Sequence, residues 1–205
     1  MLPAPTPAAE VLAEPLRSRW SPTVFDVAHT LTTDEIETLL RAAQWAPSAG
    51  NSQPWRFLVL ERGSAGHQAF VPHLSRGNAG WVPRASLVVV GATQVAEAPD
   101  GSNVNSADFA RYDVGQAAAH VTLQARAMGL HAHQFAGFDH PGVAEAFGVP
   151  DHFQLMAGIA VGMRGDATQV DERDREREQR PRTRRPLIET AFADRWAEPW
   201  AGLAG

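Results

Sequence analysis

The sequence predicts an α+β fold, and three observations carry that prediction. Short apolar runs, four or five in number, have strand length and composition, notably Trp55 to Leu60, Ser86 to Ala92, His131 to Phe135 and Leu155 to Val161. A single long helical pattern, from about Ala107 to Met128, falls between the second and third of them. A rigid polar loop, Ala46 to Trp55, joins a helical segment to the first strand. At 205 residues the chain reads as one domain over 1–205, with an N-terminal arm over 1–16 and a C-terminal arm over 171–205. A fold of that size buries roughly 70% of its unfolded surface, so a true core is available.

Taken in order, Pro3 to Pro7 reads as a proline-spaced arm and Ala8 to Leu16 as one or two helical turns. Arg17-Ser-Arg19-Trp20-Ser21-Pro22 then sets two guanidiniums, two hydroxyls and an aromatic within six residues. Arginine offers a planar fork of donors and serine a small one, which suits a phosphate; a solvated surface loop is the plainer alternative. Thr32-Thr-Asp-Glu35 has the form of a capping box, followed by Ile36, Leu39, Leu40 and Ala43 at helical spacing. Gly63 to Leu74 predicts a helix with weak caps, and Arg76-Gly-Asn78 turns out of it. In the long pattern, Val114, Ala117, Ala118, Val121, Leu123, Ala125 and Met128 crowd more than one face, predicting a buried central helix that ends near Gly129. Pro141 to Phe147 predicts a short helix. Asp171 to Arg185 alternates acids and arginines without apolar periodicity, predicting a solvated extended arm, and Leu187 to Trp196 a last helix whose Trp196, like Trp200, needs a surface to dock on.

Composition removes several chemistries. The chain has no Cys, which excludes thiolate nucleophiles, thiol redox and Cys-ligated metal centres. It has no Lys either, so all 18 basic residues are Arg, and Schiff-base catalysis and a Walker lysine are excluded. A net charge of −5 argues against nucleic acid as a partner. Met1 to Arg17 has no apolar block of signal-peptide length and nothing later has the length of a membrane span, so the expectation is a cytoplasmic protein without membrane contact. His131 and His133 would point to one face of a strand, as a zinc pair can, but no His-Glu-x-x-His helix accompanies them and no metal site is assigned. Gly-x-Ser-x-Gly and Gly-x-Gly-x-x-Gly motifs are also missing. Redox work, if any, falls to an organic cofactor.

The loop Ala46-Pro47-Ser48-Ala49-Gly-Asn51-Ser-Gln-Pro54-Trp55 is the most specific stretch. Pro47 stops the preceding helix, Pro54 biases Gln53 toward extended geometry, and Ser48, Asn51 and Gln53 supply hydrogen-bonding groups with little to pack. This string resembles the signature of the nitroreductase family of flavoproteins. Four further stretches resemble that family in collinear order: Arg19-Trp20-Ser21-Pro-x-x-Phe25, its N-terminal flavin-phosphate motif; Asn78 with Trp81 and Ala85, where an Asn meets the pyrimidine edge; Gln134-Phe135-Ala136-Gly137-Phe-Asp139, whose backbone amides face flavin N5; and Arg182-Thr-Arg184-Arg-Pro-Leu187, a C-terminal phosphate clamp.

The resemblance implies a nitroreductase-like fold, with a central, mostly antiparallel sheet of four to five strands flanked by helices, and an FMN-binding homodimer with two sites at the subunit interface. It further implies that NAD(P)H delivers a hydride and that an electron-poor acceptor, such as a nitroaromatic or quinone, then takes the electrons in a ping-pong cycle, with no catalytic side chain required of the protein. Two positions depart from the pattern. Relatives carry basic side chains where this chain has Thr23 and Trp81, near the flavin N1/O2 edge, so the flavin is expected to be harder to reduce unless Arg17 or Arg111 moves in. Phe109, Tyr112 and Phe135 are candidates to line a substrate pocket, with core packing as their alternative. That leaves two other readings, a flavin-binding homologue with little turnover and a specialised flavin oxidase or dehydrogenase acting on a biosynthetic intermediate.

Overall fold

The structure, a computed structural model, describes residues 9–104 and 106–203. Four strands, β1 (Trp55–Glu61), β2 (Leu87–Gln94), β3 (His131–Phe135) and β4 (Phe153–Gly162), form one sheet in the order β1-β2-β4-β3. Every pairing is antiparallel. β2 is buried at each position, as its unbroken apolar run requires of a strand covered on both faces. Its side chains alternate: Val88 and Val90 enter one core with Phe70, Phe135 and Val143, whereas Leu87 and Val89 enter the other with Leu39, Val114 and Val121.

Six α-helices accompany the sheet among the described residues: α1 (Glu14–Ser18), α2 (Thr33–Gln44), α3 (Ala65–Phe70), α4 (Ala107–Ala127), α5 (His140–Phe147) and α6 (Glu172–Gln179). The Thr32–Glu35 capping box forms at the start of α2, with both reciprocal bonds present. α4 buries Ala110, Asp113, Val114, Ala117, Val121 and Ala125 between α2 and the sheet, and small residues on that face let the helices approach closely. Phe109, Tyr112 and Gly115 on the same helix are exposed.

Both C-terminal expectations need correction. The first part of the acid-and-arginine run is helical: Asp171 caps Asp174 N–H, and α6 follows with Asp174 and Glu178 buried one turn apart, while residues 180–186 run on without helix and mostly exposed. Those two carboxylates find distant arginines that no local pattern could reveal. Leu187 to Trp196 forms only a 3-10 turn over Leu187–Glu189, and Trp196 and Trp200 stay 87% and 55% exposed, with Trp196 tilted against Phe192 at 5.1 Å. The Pro3 to Pro7 arm lies outside the described residues.

Candidate functional site

A cleft of about 330 Å³ opens between the segment after α1, the turn before β2, and α6. Trp20, Ser21 and Thr23 form one wall, Asn78 and Trp81 a second, with His133 of β3 and Glu178 of α6 behind them. At its positive end Arg19 donates from Nη1 to Ser21 Oγ at 3.0 Å, and Arg182 donates from Nη1 to Arg17 O at 2.7 Å. Burial lowers the Arg19 pKa, and the nearby Arg182 and Arg184 guanidiniums lower it further. Arg182 is likewise lowered, by burial and then by Arg184. The guanidiniums of Arg19, Arg182 and Arg184 act on one another here, a concentration of positive charge of the kind that suits an anion.

The opposite end is organised by Asn78. Its Nδ2 donates to Gly137 O at 2.9 Å, its Oδ1 accepts from Trp81 Nε1 at 3.2 Å, and Ser75 N–H also donates to Gly137 O. A side chain at 137 has no room: a Cβ there would lie 2.6 Å from Ser75 Oγ and 2.7 Å from Asn78 Nδ2. The N–H groups of Ala136 and Gly137 themselves donate to nothing among the described residues, so two adjacent donors remain open at the end of β3.

Behind the cleft, Trp81 is buried between Phe25 and His133, with the imidazole stacked on it at 4.3 Å. His133 Nδ1 lies 2.8 Å from Pro22 O, and a carbonyl can only accept, so the proton sits on Nδ1. Burial lowers its pKa and keeps the ring neutral at pH 7. Thr23 is buried too, with its N–H donating to Glu178 Oε1 at 2.6 Å. Neither arginine expected to compensate for Thr23 and Trp81 lines the cleft: the Arg17 charge acts on Glu14, and Arg111 binds Gln154 and Asp108.

Of the sequence-derived site residues, Trp20, Ser21 and Asn78 line this cleft; Arg19 bonds Ser21, with the Arg182 and Arg184 charges acting on it, and Gly137, after Ala136, bonds Asn78, while the arginines of the lining itself are Arg177 and Arg180. Gln134 and Phe135 contribute no cleft-facing side chain. Gln134 Nε2 donates to Thr122 Oγ1 and Ala118 O of α4, because alternation along β3 turns it that way. Phe135 is core, edge-on to Trp81 and in contact with Gly158, whose missing side chain makes room for the ring. Phe109 and Tyr112 are exposed on α4 instead of lining this cleft.

Pro47, Ser48, Ala49 and Asn51 lie elsewhere. They precede β1, at the sheet edge opposite β3, with β2 and β4 between. Three strand spacings make that separation about 14 Å. The loop is firm: Asp113 of α4 accepts from Ala49 N–H at 3.0 Å, Ser48 Oγ from Gln53 N–H, and Gly50, Asn51 and Gln53 all have positive φ. Gln53, at φ +46°, departs from the extended geometry its proline neighbour favours, since its N–H and side chain are both tied back into the loop. Left-handed backbone at two non-glycine residues is held strain of the kind found at binding loops.

Asp113, His133 and Glu178 were not identified from sequence as site residues. Asp113 had a visible signal, a lone carboxylate among Ala110, Val114 and Ala117 on an apolar helix face. Glu178 had none, since every neighbour on its helix is polar.

An antiparallel sheet with a buried helix on one face, an arginine cluster beside a cleft and open backbone donors at a strand end corresponds to the class of flavin-dependent oxidoreductases. Residues 16–163 match the family model described as Nitroreductase family, and the chain belongs to that family. A Mycolicibacterium smegmatis protein, an uncharacterized 15.4 kDa protein of the ask 5′ region, is 38% identical over 152 residues, covering 70% of this chain and 99% of that one. A Streptomyces coelicolor protein that carries an NADH dehydrogenase/NAD(P)H nitroreductase name is 27% identical over 157 residues, covering 68% of this chain and 77% of its own. A solved oxidoreductase containing FMN superposes with a TM-score of 0.85 at 32% identity, over 97% of this chain and 100% of the other. A nitroreductase-type protein from Exiguobacterium sibiricum, solved with FMN, shares the fold at TM-score 0.73 and 21% identity, over 88% and 96% of the two chains.

Proposed function

We propose that this protein is an FMN-dependent oxidoreductase that takes hydride from NAD(P)H and reduces an electron-poor acceptor such as a nitroarene or quinone. The observation that carries the reading is the pairing of a guanidinium cluster, Arg19 with Arg182 and Arg184, with the open N–H groups of Ala136 and Gly137 about one cleft. These residues fit FMN: the arginines and Ser21 suit its phosphate, and Asn78 and the two N–H donors suit its polar ring edge. The cofactor supplies the chemistry, accepting a hydride and releasing electrons. The protein's part is to bind it, orient it and exclude water behind Trp81 and His133.

The Pro47–Asn51 loop supports a homodimer reading. It is preformed yet lies across the sheet from the cleft of its own chain, so a second copy would bring its loop to that cleft. The exposed Trp196, Trp200 and Tyr112 support the same reading, since isolated apolar surface of that size favours a partner. No helix among the described residues is long and apolar enough to cross a membrane. A cytoplasmic location remains the sequence-based expectation.

The test is the visible absorbance of the purified protein, followed by anaerobic NADPH or NADH. A yellow protein that bleaches supports the reading and identifies the donor; a colourless one that also fails to take up FMN overturns it. Thr23 and Trp81 favour a second reading, of a flavin holder with slow turnover, because the side chains at those positions are neutral and Glu178 sits against Thr23. With neutral side chains at both positions, the bound flavin is expected to have a midpoint potential no higher than free FMN. A spectroelectrochemical value well above it would contradict that expectation.

A further inference from the structure

We infer that α6 is a latch whose docking builds the phosphate end of the cleft, with Asp174 and Glu178 as its positioning residues, so that arm docking and FMN binding form one coupled equilibrium. The coupling rests on the FMN reading above. The helix has the sequence Glu-Arg-Asp-Arg-Glu-Arg-Glu-Gln, with no apolar side chain, so hydrophobic burial does not hold it. Two carboxylates on one face do. Glu178, only 2% exposed, accepts from Thr23 N–H at 2.6 Å, Val24 N–H at 3.3 Å, Trp20 Nε1 at 3.2 Å and Arg164 Nε at 2.9 Å. One turn earlier, Asp174 accepts from Arg84 Nη1 at 2.9 Å. Donors aimed this closely at a buried carboxylate are satisfied only while α6 is seated.

Docking has an opposing force. The chain leaving α6 carries Arg182 to Arg17 O and sets Arg182 and Arg184 beside Arg19, where like charges act on one another in a partly buried setting. A phosphate group among these guanidiniums converts the repulsion into attraction. Phosphate occupancy therefore favours the docked arm, and by reciprocity a docked arm favours the phosphate. The same carboxylate that seats α6 also fixes the backbone of Thr23 and Val24, just beyond the Arg19–Ser21 motif, so the latch holds both halves of the anion site in register.

Trypsin reads the arm directly. The chain has no Lys, and α6 with the residues after it offers susceptible bonds following Arg173, Arg175, Arg177, Arg182, Arg184 and Arg195, whereas Arg180 and Arg185 precede proline. On the full chain stripped of flavin, Asp174→Asn and Glu178→Gln are expected to be cut in the arm about tenfold faster than wild type. Saturating FMN is expected to slow cutting of wild type about tenfold, and riboflavin, which lacks the phosphate, less than twofold. Asp174→Asn is expected to raise the FMN dissociation constant about tenfold while leaving that of riboflavin within twofold, a split that general destabilisation would not produce. Far-UV circular dichroism checks the fold; if Glu178→Gln does not fold, Asp174→Asn carries the test with Arg84→Gln beside it, because Asp174 pairs with Arg177 of the cleft wall at 3.7 Å as well as with Arg84, which lies outside the cleft. Variants cut at the wild-type rate, FMN that binds without protecting the arm, or equal losses of FMN and riboflavin affinity would each overturn the inference. A wild-type protein that binds neither flavin would instead sink the cofactor reading and the coupling with it, while faster arm cutting in the two flavin-free variants would still support the latch.

Discussion

Gly137 and Asp113 show how much of the candidate site depends on single atoms. At Gly137 a methyl group would collide with Ser75 Oγ and Asn78 Nδ2, so Gly137→Ala is expected to break the Asn78 bond and turn the Ala136–Gly137 N–H pair away. FMN affinity should fall at least about tenfold, roughly 1.4 kcal/mol. Gly80→Ala, which meets open space, is the control and should change it little. Asp113 is 3% exposed and holds Ala49 N–H, so Asp113→Ala leaves a donor of the strained loop without its charged partner. Urea unfolding should show a loss of about 1–3 kcal/mol, with Asp113→Asn losing less because it keeps an acceptor in place. An Asp113→Ala protein as stable as wild type would mean that the loop holds itself.

At the scale of an element, β3 links the fold to pH. His131 is held neutral by burial, with Arg126 and Arg164 adding to the effect, so that its pKa falls to about 4. In the unfolded chain a histidine titrates near 6.5. Between those values the unfolded chain takes up a proton that the folded chain refuses. The stabilisation is therefore complete above about pH 6.5, is lost progressively as pH falls toward 4, and declines no further below that. After allowance for solvent screening, His131 should account for roughly 2 kcal/mol of the loss. Urea midpoints at pH 7.5 and pH 4.5 should differ less for His131→Asn than for wild type; an identical difference would assign the pH dependence elsewhere.

At the scale of the whole molecule, two surfaces of the single chain look unfinished. Trp45 is 80% exposed beside a groove of about 560 Å³ between α1, α2 and α4, lined also by Pro15, Ala42, Leu123 and Ala127. Trp196 and Trp200 project from the arm. If the protein is the proposed homodimer, sedimentation velocity at micromolar concentration should give twice the mass of the 22.1 kDa chain. Replacing both arm tryptophans by Ala should shift it toward monomer and weaken FMN retention in parallel, as expected where one copy completes the other's site. A monomeric, flavin-replete protein would refute the shared-site reading.

The sequence by itself determined what depends on neighbours along the chain. The Thr32–Glu35 cap, the unbroken apolar run of β2 and the small-residue face of α4 all declare themselves within one or two turns. The collinear motifs pointed to the family and to most of the arginine-lined cleft for the same reason. Tertiary structure decided what depends on partners far away. Glu178 meets Thr23 across 155 positions, Asp174 meets Arg84 across 90, and Asp113 meets Ala49 across 64. A buried carboxylate is stable only where its donors converge, and convergence is a property of the folded chain, which is why a run of acids and arginines that reads as solvated became the helix that closes the cleft.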